Sequence, residues 1–98
     1  MFMRTELREH ARSPLEITVQ YSVIVSKFRA LEKITDTAVS VDISRGGIGL
    51  LTRFLLEAGH VMVFNNEIDV DGMTARIAVV KWVDRSDDTR YRVGLKFV

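Results

Sequence analysis

The stretch Leu15-Glu16-Ile17-Thr18-Val19-Gln20-Tyr21-Ser22-Val23-Ile24-Val25 decides the fold class. Leu15, Ile17, Val19, Tyr21, Val23 and Val25 are apolar or aromatic and alternate with Glu16, Thr18, Gln20 and Ser22. Only Ile24 breaks the rhythm. A period of two, rich in β-branched side chains, is a half-buried strand. Ser13-Pro14 marks its start, because a residue without an amide hydrogen suits a strand entry better than a strand interior.

The same pattern returns further along. Tyr91, Val93, Leu95 and Phe97 alternate with Arg92, Gly94, Lys96 and Val98. Met73–Val83 reads as a longer strand, with Thr74, Arg76 and Lys81 polar and Ile77, Val79, Val80, Trp82 and Val83 apolar. Asp71-Gly72, between Glu67–Val70 and that strand, is the signal of a two-residue type I′ hairpin. Asp84–Arg90 reads as the solvated turn before the last strand, and further strands are expected at Thr37–Ile43, Gly47–Thr52 and His60–Asn65. Phe54–Ala58, closed by Gly59, is read as a short helix with a glycine cap. Lys27–Ile34 has a helical spacing of Phe28 and Leu31 but equally suits a loop or a ragged hairpin tip. The expectation is an all-β chain, a small antiparallel barrel of six to seven strands with at most short helices. Closure would remove the exposed sheet edges. Residues 1–12 form an arm ahead of a barrel over 13–98.

Composition narrows the function. With 98 residues one domain is the sensible count, and 47% hydrophobic with 28% charged residues suits a folded chain. No run approaches the roughly 18 to 20 apolar residues that span a bilayer. Met1–Arg12 carries three Arg and two Glu without an apolar core, so it does not read as a secretory signal. The absence of cysteine excludes disulfides and thiolate-bound metal, and fits a cytoplasmic setting. Fourteen Lys plus Arg against 13 Asp plus Glu leave a net charge of +1, too even for a general DNA or RNA binder. No catalytic constellation stands out either. His10 and His60 are the two histidines, neither in a metal-ligand spacing, and the carboxylates are scattered through turns. Gly46, Gly47 and Gly49 are not followed by a helix, as a phosphate loop would require. The expectation is a binding protein, not an enzyme.

Two segments carry more. Arg8-Glu9-His10-Ala11-Arg12 precedes the first strand; alone, it reads as a solvated arm. Asp42-Ile43-Ser44-Arg45-Gly46-Gly47-Ile48-Gly49-Leu50 follows Val39 and Val41. On a strict period of two, Val39, Val41 and Ile43 face inward and Asp42 and Ser44 project together from the other face. The glycines are read as allowing positive φ and a close approach. Alone, this segment is a β-turn with a side-chain hydrogen bond.

Together, in this order, the two segments resemble the PilZ domain, a bacterial receptor module for cyclic di-GMP. Its signature is R-x-x-x-R on an N-terminal loop followed by [D/N]-x-S-x-x-G on a strand and turn. Arg8 and Arg12 match the first part; Asp42, Ser44 and Gly47 match the second. Trp82, Gly94 and Phe97 are similar to the family's closing pattern, so the resemblance runs over roughly residues 8 to 98. One departure is that the last strand runs to Val98, whereas members often continue into a C-terminal helix.

The resemblance implies cyclic di-GMP as ligand, with Arg8, Arg12, Asp42, Ser44, Gly46 and Gly47 binding it and Arg4, Leu7 and Arg45 as secondary candidates. The chemistry suits those residues. The guanidinium fork meets guanine O6 and N7 with two parallel hydrogen bonds, and it can also contact phosphate. A carboxylate at Asp42 accepts from guanine N1–H and N2–H. Ser44 donates to phosphate, and the glycines leave room for the nucleotide. The arm would fold over the ligand and be ordered by it, changing the surface shown to a downstream protein partner. Monomer and homodimer both remain open. Two other readings compete: a nucleotide-independent adaptor of the same fold, and a small barrel for single-stranded nucleic acid, which the even charge disfavours. Trp82, Phe97, Tyr21, Phe64 and Tyr91 are read as packing residues, and Arg76, Lys81 and Arg92 as solvated strand faces, any of which could line the ligand side.

Overall fold

A computed structural model describes residues 17–98. Among them six strands follow in order: β1 (Thr18–Lys27), β2 (Ala30–Ile43), β3 (Gly47–Thr52), β4 (Val61–Val70), β5 (Met73–Arg85) and β6 (Tyr91–Phe97). Every neighbouring pair is antiparallel, and the sheet closes in the order β1-β2-β3-β6-β5-β4, with β4 returning to β1. The expected all-β barrel is what forms. The described residues contain no helix, and so none long and apolar enough to cross a membrane. The readings placed on Arg4, Leu7, Arg8, His10, Arg12, Ser13-Pro14 and the 1–12 arm fall outside the described residues.

The alternation in β1 does what its pattern dictates over its middle. Val19, Tyr21 and Val23 are buried while Thr18, Gln20 and Ile24 face out. Ile17, read as inward, is 41% exposed instead, because it lies just before the strand begins. In β6, Val93 and Leu95 are buried, and Tyr91 and Phe97 pack against the core they join. The barrel is sealed between β1 and β4 over three pairs only: Tyr21 with Phe64, Ser22 with Val63 and Val23 with Met62. Phe64 is fully buried there and meets the Phe97 ring edge-on, with centroids 6.3 Å apart.

Several expectations need correction. His60–Asn65 and Glu67–Val70 are one strand, β4, with an irregularity in its middle. Val63 pairs with Ile77 and Ile68 with Ala75, so the residues between them outnumber Arg76, the one residue opposite. The slack lets Phe64 turn away from β5 and join β1. Strand β2 starts at Ala30 rather than Thr37, and β5 runs on to Arg85, which shortens the turn before β6. Of the readings open for Lys27–Ile34, the hairpin tip is the one that forms, turning at Phe28-Arg29. Its central Phe28 and Arg29 both take positive φ, 51° and 70°, as a type I′ turn demands but as these residue types disfavour. Asp71 and Gly72 adopt the same turn, as their identity foretells.

Phe54–Ala58 is a loop as well. Five residues are too few to repay helix nucleation, and burial of Leu56 decides the path: it is 1% exposed in the core while Leu55 is 64% exposed. The loop is pinned by Gly59 N–H donating to the Val80 carbonyl (2.8 Å) and Val80 N–H donating to His60 (2.9 Å). His60 accepts at Nδ1 from Glu57 N–H at 3.1 Å, a structural role.

Among the described residues, Tyr21 is the one polar anomaly of the core. Its hydroxyl is buried with no hydrogen-bond partner. Burial pushes its pKa up to about 12; the Asp36 carboxylate adds to this and Arg53 opposes it. A raised folded pKa means that the protonated group's contribution is complete below the unfolded value near 10 and lost as pH rises toward about 12. Tyr21→Phe is therefore expected to hold or raise stability near neutral pH, by up to about 1 kcal/mol, since an unsatisfied hydroxyl is removed. The variant should also lose less stability than the parent between about pH 10 and about pH 12. Urea unfolding midpoints across that range check both.

Candidate functional site: a glycine floor between two bulges

A strict period of two along β2 would place Asp42 on the inward face with Ser40. It does not, because Ser40 pairs with Leu50 while Asp42 pairs with Gly49, leaving Val41 as an extra residue. The bulge reverses the phase of the strand. Ala38 and Ser40 are buried before it and Ile43 after it, so Asp42 turns outward. The expectation that Val39 and Val41 share Ile43's inward face is thus corrected: both are half-buried.

Strand β5 repeats the device on the far side. Val80 pairs with Leu95 and Trp82 with Gly94, so Lys81 is the extra residue. Val80 is buried, Trp82 is 46% exposed on the outside, and Val83 packs inward again. Between the two bulged strands, Gly49 of β3 pairs with Gly94 of β6. One row therefore crosses four strands on the outer wall: Asp42, Gly49, Gly94, Trp82.

The two glycines are where the outer residues lean in. A Cβ on Gly49 would stand 2.7 Å from Asp42 Oδ1, and one on Gly94 would fall on the Trp82 indole. The carboxylate thus lies over one glycine and the indole over the other. A groove of about 280 Å³ opens over this row. Its lining includes Asp42, Ser44, Gly46 and Gly47 from the sequence-predicted set, together with Lys81 and Lys96. Among the described lining residues there are two cations and one carboxylate, a balance suited to an anionic ligand that also presents hydrogen-bond donors.

The turn from β2 to β3 frames one end. Ser44 N–H donates to the Gly47 carbonyl at 2.9 Å, and Phe97 N–H donates to Gly46 at 3.0 Å, tying the turn to β6. None of Gly46, Gly47 and Gly49 has positive φ; among the described glycines that conformation belongs to Gly59 and Gly72. Their need is for space. A Cβ on Gly47 would collide with the Leu95 carbonyl, whereas one on Gly46 meets nothing within 4 Å. Arg45 is exposed on the same turn. Arg4, Leu7, Arg8 and Arg12 lie outside the described residues, but the chain enters beside the site. Ile17 N–H donates to Ser40 Oγ at 3.0 Å and Ser40 N–H returns a bond to Ile17 at 2.9 Å, two residues along β2 from Asp42.

Sequence reasoning had no place in the site for Gly49 and Lys96, it read Lys81 as a strand-face residue that could line the ligand side, and it weighed Trp82 and Gly94 apart from the groove. The signal that could have found them is a phase change. Val80 and Val83 both face inward although they stand three apart, which alternation allows only with an extra residue between them.

The close fit of indole on glycine gives a direct check. Gly94→Ala is expected to drive the indole off the wall, red-shift the emission of the chain's single tryptophan, and cost about 1–3 kcal/mol. In a Trp82→Ala background the same substitution should cost at least about 1 kcal/mol less, a coupling that a double-mutant cycle measures.

Two bulges and two glycines thus give the closed barrel one open outer groove, a candidate ligand site. The family model described as PilZ domain matches residues 6–98, and the chain belongs to the PilZ domain family, whose members bind cyclic di-GMP. Comparison with curated proteins gave no match.

Proposed function

We propose that this protein is a cyclic di-GMP receptor that captures the dinucleotide on the Asp42–Gly49–Gly94–Trp82 row and closes on it with Arg8 and Arg12. The observation that carries the reading is the glycine floor beside an outward carboxylate. A guanine can enter the groove above this row, where Asp42 accepts from its N1–H and N2–H. Arg12 stands five residues before Ile17, a stretch that reaches at most about 17 Å, and Ile17 is fixed two residues from Asp42. We assign the fork for O6 and N7 to the two motif arginines, Arg8 and Arg12. Ser44 and the cations Lys81 and Lys96 suit the phosphates; Gly46 and Gly47 keep the rim low. Arg45, Arg4 and Leu7 are second-rank contacts. Ordering residues 1–12 on the ligand costs about 1–2 kcal/mol per residue, offset by charge-assisted hydrogen bonds of roughly 1.5–3 kcal/mol each. The ordered arm then signals to a protein partner in the bacterial cytoplasm.

Calorimetric titration of the full chain with cyclic di-GMP tests this, beside Arg8→Ala/Arg12→Ala and with GTP as control. Saturable binding that the double variant loses by 100-fold or more, about 2.7 kcal/mol, is the expected result. Absence of binding at high micromolar ligand would replace the reading with a nucleotide-independent adaptor.

A further inference from the structure

The wall opposite the glycine floor carries a second groove. The floor spans β2, β3, β6 and β5; the second groove lies over β2, β1, β4 and β5, across the three-pair seam that closes the barrel. It is larger, about 900 Å³, and its floor is apolar. Ile24 of β1 is 51% exposed there, and Val61 and Val63 of β4 are 50% and 41% exposed. Strand β1 pairs with β4 only as far as Val23, yet continues to Lys27, so the groove lies where one strand runs past its partner. Three half-bare aliphatic side chains on one patch of a barrel whose core is otherwise well covered point to an interaction surface.

Charge identifies what fits it. The groove is edged by Lys33 and Arg76, and among the described residues no Asp or Glu lines it. Neither cation has a carboxylate partner among the described residues, where the ion pairs are Lys27–Glu32, Arg53–Asp36 and Arg90–Asp87. A second copy docked on the same surface would bring two more cations to the two already there, which disfavours self-association. A lipid surface meets a convex tip rather than a concave groove.

We infer that this groove docks an acidic, amphipathic segment of a protein partner, with apolar side chains on Ile24, Val61 and Val63 and carboxylates on Lys33 and Arg76. The inference extends the receptor reading by giving its output a place, and β2 and β5 run through both walls. The groove's chemistry does not depend on nucleotide.

The test pans a displayed library of random twelve-residue peptides against the full chain without nucleotide, with counter-selection on Ile24→Asp/Val63→Asp. Enriched peptides should combine aliphatic or aromatic residues with an excess of Asp and Glu. They should bind Lys33→Glu/Arg76→Glu at least tenfold more weakly. All four positions face outward, and an unchanged urea midpoint shows that each variant folds. Enrichment of basic peptides, equal binding to the charge-reversed variant, or no enrichment over the counter-selection would overturn the inference. So would a dimer in sedimentation that Ile24→Asp/Val63→Asp dissolves, since the groove would then be covered by a second copy. Cyclic di-GMP titration of the same variants keeps the two readings separate: each can fail while the other holds.

Discussion

Phe64→Ala is expected to destabilise the domain by about 3–5 kcal/mol, a large share of the roughly 5–15 kcal/mol that holds a domain of this size together. The ring is fully buried, and it sits opposite Tyr21 in a seam of only three pairs. Removing it leaves a cavity at the place where the barrel has the least pairing to spare. The loss should therefore be local as well as global. Amide exchange at Ser22, Val23 and Met62 is expected to accelerate more than exchange in β3 and β6, whose pairing runs from Gly47–Lys96 to Thr52–Tyr91. Losing the edge-on contact with Phe97 accounts for only about 0.5–1.5 kcal/mol of the total; the cavity supplies the rest. Uniform acceleration over all six strands would show that the seam is no weaker than the rest of the barrel.

A second large effect is expected where two adjacent glycines differ. Gly47→Ala places a methyl on the Leu95 carbonyl of the neighbouring strand, and backbone cannot swing aside as a side-chain tip can. The β3–β6 ladder must part, at about 2–3 kcal/mol, and the groove rim must move with it. Gly46→Ala meets nothing within 4 Å and needs no positive φ. It should be neutral or stabilising by up to about 1 kcal/mol, through loss of unfolded-state freedom. Denaturant midpoints of the two variants decide the matter. Equal costs would mean that the turn, not the interstrand spacing, is what demands glycine.

The sequence made the architecture legible wherever one periodicity ran unbroken. Val19 to Val23 and Tyr91 to Phe97 alternate cleanly, and Asp71-Gly72 has turn chemistry that few other conformations satisfy. Legibility failed where an inserted residue reset the phase. Counting by twos along Val39, Val41 and Ile43 gives the wrong inward set, because a bulge at Val41 is not encoded by that residue's own character. The outward direction of Asp42 was nevertheless read correctly, since the count was anchored on Ile43, beyond the bulge. Phe54–Ala58 misled for a different reason: Leu56 is drawn inward by tertiary burial, which overrides a weak local preference. Phe28-Arg29 gave no turn signal at all, because neither residue favours the conformation that the flanking strands impose. For the site, the Asp42, Ser44 and Gly47 cluster was visible as spacing. The opposing wall of Lys81, Trp82 and Gly94 is assembled by pairing across strands 32 or more positions later in the chain, beyond the reach of any local pattern.

The two extra residues, Val41 and Lys81, have a bearing on how such a domain changes over generations. Losing three bases at codon 81 would remove a cation from the groove and bring β5 back into simple alternation, with Val80 still inward and Trp82 still outward opposite Gly94. The equivalent loss at codon 41 would leave Ser40 inward and Asp42 outward opposite Gly49. What either deletion takes away is the local bend and added twist that an extra residue gives a strand. A lineage can thus reshape the groove by a change of length at either codon while its row of residues keeps facing out.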